Sequence, residues 1–80
     1  MSLRIIIKPG QIQDWVTTRN GVPARKHGSD AELRILFGGE NSEFEPITID
    51  ELIEAMKFRR LALLVDQEAG NTFHRFVERG

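Results

Sequence analysis

One stretch, Ile47 to Val65, constrains this chain more than any other: a marked helix start runs without a linker into an apolar strand. Thr48 followed three residues later by Glu51 is a capping box. The threonine hydroxyl accepts from the N3 backbone N–H and the glutamate reaches back to the N-cap N–H, so a helix starts at Ile49. Ile47 before the cap and Leu52 at the fourth helical position form a hydrophobic staple, and Pro46 lies upstream, where its missing donor does no harm. Ile49, Leu52, Ile53 and Met56 recur at i, i+3, i+4 and i+7, giving one apolar face. Asp50, Glu51 and Glu54 crowd the first turns and Lys57, Arg59 and Arg60 the last, complementing the helix dipole. After Arg60 the period changes. Leu61-Ala62-Leu63-Leu64-Val65 is too short for a second helix and reads as a buried strand.

Eighty residues make one small α+β domain, 1–80, burying only about 60% of its unfolded surface. No tract is long enough to span a bilayer, and no basic n-region leads into an apolar segment at the start, so a cytoplasmic protein that does not bind membrane is expected. The chain contains no cysteine, which removes disulfides and thiolate metal sites and suits a reducing compartment. Its formal net charge is -1, but residues 1–39 carry six Lys/Arg against three Asp/Glu and residues 40–80 five against nine. A dipolar surface of that kind favours self-association or an anionic partner.

Along the chain, Arg4-Ile5-Ile6-Ile7-Lys8 is β-branched and reads as an extra edge strand or an arm. Pro9-Gly10 breaks it, and Ile12, Trp15, Val16 and Arg19 follow at helical spacing up to Asn20-Gly21, a pair suited to a left-handed helix end. Trp15, the only tryptophan, sits on the apolar face as a core anchor. Val22 to His27, the turn cluster Gly28-Ser29-Asp30-Ala31, and Glu32 to Phe37 make a hairpin. With those four residues as the loop, His27 faces Glu32, Arg25 faces Arg34 and Val22 faces Phe37, and Val22, Ala24, Leu33, Ile35 and Phe37 share the inner face. Pro23 cannot donate to a ladder, which places its strand at an edge or turns that position outward. Gly38 to Glu45 is polar, glycine-led and acidic and reads as a mobile loop. Its glycine pair is no phosphate loop, because the Gly-Lys-Ser/Thr ending is missing and acids follow. Gln67 to Asn71 supplies a second turn, and Thr72 to Val77 a return strand.

The expected order is therefore αββαββ: two hairpins in a four-stranded, largely antiparallel sheet with both helices on one face. If Arg4 to Lys8 adds a strand, the first six elements become the alternative, a ferredoxin-like βαββαβ with one strand appended.

These residues also resemble a known group. Ile12-x-x-Trp15-Val16, Gly21-x-Pro23-Ala24, Leu33-Arg34-Ile35, Ile49-Asp50-Glu51 and Leu61-Ala62-Leu63-Leu64 look like the pattern of a family of short uncharacterised bacterial proteins. That pattern is a tryptophan-bearing helix, Gly-Gly-x-Pro-Ala, Leu-Arg-Ile, Trp-x-Glu-Phe-Phe and Leu-Ala-Leu. The resemblance spans Gln11 to Arg79 and departs at Asn20, where the family has glycine, and at Ile49, where it has tryptophan. Members sometimes carry a glucan-branching label, a chemistry of far larger barrel enzymes for which 80 residues leave no room. The resemblance implies no catalytic residue.

Chemistry-bearing residues are sparse. His27 and His74 are the only histidines and lack metal-ligand spacing. Glu40, Glu43 and Glu45 fall in a segment poorly suited to holding two carboxylates at catalytic spacing. No cofactor, metal or catalytic residue is expected, and an enzyme with an unrecognised site remains only a rival class. A binding module fits better. Taking Glu68 to Asn71 as the second loop pairs Leu64 with Arg75 and Val65 with His74, which turns Leu61, Leu63, Val65, His74 and Phe76 inward. Leu64, Asp66, Phe73, Arg75 and Val77 then face outward beside Arg25, His27, Arg34 and Leu36. The expected interface is Arg25, Arg34, Leu36, Leu64, Phe73, Arg75 and Val77, and its leading use is a two-fold homodimer. The alternative is single-stranded nucleic acid, held by the arginines with Phe73 as a stacking surface.

Overall fold

The structure, a computed structural model, describes residues 2–28, 32–39 and 41–79. Ser29 to Ala31 of the expected first turn, and Glu40, lie outside the described residues. The elements run β1 (Leu3–Ile6), α1 (Pro9–Thr18), β2 (Gly21–Lys26), β3 (Leu33–Phe37), β4 (Phe44–Pro46), α2 (Ile49–Arg59), β5 (Leu61–Asp66) and β6 (His74–Glu78).

The capping box forms as the sequence demands. The Glu51 N–H donates to Thr48 Oγ1 at 3.1 Å and the Thr48 N–H to Glu51 Oε1 at 3.0 Å. Leu52, Ile53 and Met56 are buried, and Ile47 packs against the same core as Leu52. Arg60 ends α2 in the left-handed region, φ 55°, which turns the chain directly into β5. In α1 Pro9 stands at the first helical position, where its fixed φ helps and its absent N–H is not missed. Asn20 takes the left-handed conformation after the helix, φ 56°.

Among the described residues six strands form two antiparallel sheets, β1-β5-β6 and β3-β2-β4. The α+β class holds, but neither the four-stranded sheet nor the ferredoxin-like arrangement does. Both hairpins are present, yet no ladder joins β3 to β6 among the described residues. His74 supplies the reason: the Ile35 N–H, on the free edge of β3, donates to His74 Nε2 at 3.3 Å instead of to a strand carbonyl. The imidazole sits among Trp15, Phe37 and Phe76, with ring centroids 5.6–6.1 Å away. A side chain thus takes the place that a strand carbonyl would hold, and the two edges are bridged by imidazole rather than by backbone.

Of the segment Arg4 to Lys8, Arg4 to Ile6 lies in the edge strand β1, paired with β5 through Ile5 and Leu64, while Lys8 is the N-cap residue of α1. The second hairpin has the expected register, Leu64 opposite Arg75 and Val65 opposite His74. The first is slipped by one residue: Val22 pairs with Leu36, Ala24 with Arg34 and Arg25 with Leu33. The turn is one residue longer than its chemistry suggested, because the Lys26 N–H reaches the Glu32 carbonyl at 3.0 Å while the His27 N–H goes to Glu43 O at 2.9 Å. Leu33, Ile35 and Phe37 keep the inner face, whereas Val22 and Ala24 turn out and Gly21 and Pro23 turn in.

The last two residues of the segment read as a mobile loop open β4, with Phe44 buried beneath the Arg34 guanidinium, 4.9 Å from its ring centroid. β4 pairs with β2, so the strand bearing Pro23 is central rather than at an edge. Pro23 is tolerated because its carbonyl, accepting the Ile47 N–H at 2.9 Å, faces the end of a three-residue strand and only one donor is forfeited. One core gathers both helices and both sheets: Ile6, Ile12, Trp15, Val16, Ile35, Leu52, Met56, Leu61, Leu63 and Val65.

Candidate interaction surface

The outer face of the β1-β5-β6 sheet is set by the alternation of its strands. Leu63 and Val65 point into the core with Ile6 from β1 and, half-buried, Phe76 from β6. Their neighbours must point away. Leu3 and Ile5, with Ile7 just beyond the strand, lie beside Leu64 and across from Phe73, Arg75 and Val77. Nothing described covers them: Leu3 is 48% exposed, Ile5 58%, Ile7 44% and Phe73 38%. Arg75 lies on β6, the strand farthest from β1, so the cation sits at the rim of an otherwise apolar face.

One end of this face is locked. Trp15 is buried and its indole N–H donates to the Asp66 carbonyl at 2.9 Å, tying α1 to the end of β5. The Arg19 guanidinium lies 4.5 Å from the Trp15 ring centroid and donates to the carbonyls of Asn71 at 2.7 Å and Glu68 at 3.0 Å. Asp66 belongs to the outer face by alternation but is fully buried under the turn. Its Oδ1 accepts from the Glu68 N–H at 3.0 Å and the Ser2 N–H at 3.3 Å, and its Oδ2 has no partner among the described residues. The turn leading to Phe73 is thereby held from two sides.

The seven residues singled out from the sequence do not form one surface. Leu64, Phe73, Arg75 and Val77 share the face just described. Arg34 and Leu36 are on the outer face of the other sheet with Val22, Phe44 and Pro46, where Val22, Leu36, Phe44 and Pro46 line a groove of about 650 Å³ closed by Gly39, Asn41 and Ser42. Arg25 leaves the set altogether. The register slip turns it to the helix side, where its Nε donates to Glu45 Oε1 at 2.7 Å, and His27 follows, with Nδ1 3.7 Å from Glu45 Oε2. The hydrogen bond from Arg25 is the main reason the Glu45 carboxyl is held below its ordinary value of 4.5. Arg25 and Arg34 are therefore not opposed: Arg34 pairs with Ala24 and Arg25 with Leu33. Arg34 and Arg75 instead flank a cleft of about 360 Å³ between β3 and β6, with Leu33, His74 and Phe76 at its base.

Sequence reasoning missed Leu3, Ile5 and Ile7. Their alternation with Arg4 and Lys8 was a strand signal, but which strand would pair with them was not. It also missed Val22 and Phe44, because the slip and the β4 pairing are tertiary.

For chemistry the set is thin. Among the described residues no three His, Asp or Glu side chains are placed to hold a metal ion. His74 Nδ1 lies 3.0 Å from the Thr72 carbonyl and its Nε2 accepts from Ile35, so both nitrogens have backbone partners. No described helix is long and apolar enough to cross a membrane. No protein family, curated protein or solved structure matches this chain.

Proposed function

We propose that this protein is a small non-catalytic interaction domain that self-associates through the outer face of the β1-β5-β6 sheet. One observation carries the reading: Leu3, Ile5, Ile7, Leu64, Phe73 and Val77 form an apolar array from which Leu3, Ile5, Ile7 and Phe73 stand more than a third exposed. Removing apolar surface from water is worth roughly 25 cal/mol per Å², and soluble monomers seldom leave such patches uncovered. A second copy suits the face because a two-fold contact sets the patch against itself, apolar centre on apolar centre, with Arg75 at the rim. A net charge of -1 puts little long-range repulsion between copies. The resemblance to short bacterial proteins belongs to the same proposal and contributes no catalytic group.

Light scattering tests it. The wild-type mass should rise above the 9.1 kDa of one chain as concentration increases, and Leu64→Glu should lower it by burying a charge in the contact. A protein that stays monomeric at every concentration, or an association indifferent to Leu64→Glu, would overturn the reading.

A further inference from the structure

Among the described residues there are four sheet edges, and three are blunted. β3 and β6 lie side by side across His74. β4 is three residues long and ends in Pro46. β1 alone runs four residues with no described element on its outer side, and its Leu3 and Ile5 are exposed and apolar. Such an edge is a template for another strand.

Which backbone groups it offers follows from two hydrogen bonds. The Gln67 N–H donates to the Ser2 carbonyl at 2.7 Å, making Ser2 and Gln67 a hydrogen-bonded pair, and the Asp66 N–H donates to Phe73 O at 3.2 Å, pointing Asp66 away from β1. In the observed register Arg4 and Ile6 then spend their backbone groups on β5, while those of Leu3 and Ile5, and by continuation Ile7, face outward. These residues also carry the exposed apolar row.

We infer that β1 pairs antiparallel with β1 of a second copy about a two-fold axis at Ile5, fusing two three-stranded sheets into one of six. Only residues with outward backbone groups can form hydrogen-bonded pairs, which restricts the registers to those matching 3, 5 and 7 with one another. Setting Leu3 opposite Ile5 puts Arg4 directly opposite Arg4 of the other copy, and setting Ile5 opposite Ile7 puts Arg4 opposite Lys8; like charges so placed repel. Leu3 or Ile7 opposite itself leaves little overlap. Ile5 opposite Ile5 pairs Leu3 with Ile7 on both sides, Arg4 with Ile6, and Lys8 with Ser2. This register combines the longest ladder with no opposed like charges.

The pairing rests on the self-association proposed above and deepens it. Three strands of about five residues offer a footprint on the order of 250 Å², against roughly 800 Å² buried by each partner of a standard interface. A two-fold axis perpendicular to the sheet keeps both outer faces on one side, so edge pairing doubles the apolar platform that a further pair would cover.

The absence of cysteine from the chain makes the test direct. In a Leu64→Glu background, where face stacking is blocked, Ile5→Cys should oxidise readily to a covalent dimer, since a hydrogen-bonded antiparallel pair sets the Cα atoms about 5.5 Å apart, within disulfide range. Ile7→Cys alone should not, its two copies standing roughly 13 Å apart along the strands. Mixed Leu3→Cys and Ile7→Cys chains should cross-link to each other. Ile5→Pro, which removes an outward donor that the β1–β5 ladder does not use, should keep the helical circular dichroism and lose the dimer. Equal, slow oxidation of Ile5→Cys and Ile7→Cys, or a dimer that survives Ile5→Pro in the Leu64→Glu background, overturns edge pairing. If edge pairing fails while Leu64→Glu still lowers the wild-type mass, the face reading stands without it. If Ile5→Cys cross-links while Leu64→Glu leaves the mass unchanged, the reverse holds.

Discussion

Gly21 shows what a single residue carries in so small a core. A Cβ there would meet Ile35 Cγ2 at 2.8 Å, Phe37 Cε1 at 2.9 Å and Val16 Cγ1 at 3.3 Å, so the absence of a side chain is what lets α1 and β3 close over the start of β2. Gly21→Ala should cost about 1–3 kcal/mol by overpacking, read as a lowered urea midpoint at unchanged m-value; an unchanged midpoint would mean the core has slack there. The left-handed turn of Asn20-Gly21 was legible in the sequence, with Asn20 supplying the positive φ. The role of Gly21 was not, because its neighbours Ile35 and Phe37 are remote in the chain. Trp15 divides the same way. Its spacing announced a buried anchor, but the bond from its indole to the Asp66 carbonyl, 51 positions away, belongs to the folded chain.

Among the elements, α2 was the most legible because everything that starts it is local. Thr48→Ala removes the hydroxyl acceptor and should cost about 1 kcal/mol, measured by chemical denaturation. The Glu51 carboxyl is held below its ordinary value of 4.5, chiefly by the Thr48 backbone N–H and then by its hydroxyl. A lowered folded-state value means the contribution is complete above the ordinary carboxylate range and is lost as pH falls through the lower folded value. Stability should therefore drop on acidification below about pH 4.5. Glu51→Gln should remove the Glu51 share of that acid dependence, whereas Thr48→Ala should keep part of it, since the backbone N–H remains. Equal acid profiles for wild type and Glu51→Gln would show that the box does not form in solution. The strands were less legible. The β5-β6 register followed from its turn, while the β2-β3 register slipped because β4, hidden in a glycine-led acidic segment, drew the His27 N–H away to Glu43.

For the whole molecule the decisive feature is the seam between the two sheets, and His74 holds it. His74→Leu preserves bulk but strands the Ile35 N–H on a residue 2% exposed, and should cost about 1–3 kcal/mol. Hydrogen exchange at the Ile35 amide should accelerate selectively; protection equal to wild type would assign the seam to packing alone. The class of fold, both helices, the order of the two hairpins and the inward faces of β3, β5 and β6 were readable from residue spacing, because capping, periodicity and turn chemistry act over a few neighbours. Spacing also pointed to Leu64, Phe73, Arg75 and Val77, four of the seven residues expected at an interface, which the structure gathers on one open face. The pairing of β1 with β5, the insertion of β4 and the one-residue slip that moved Arg25 onto Glu45 were decided only in three dimensions. Strand pairing is a contest among edges distant in sequence, and with a side-chain period of two, one residue of register exchanges a core position for a surface one.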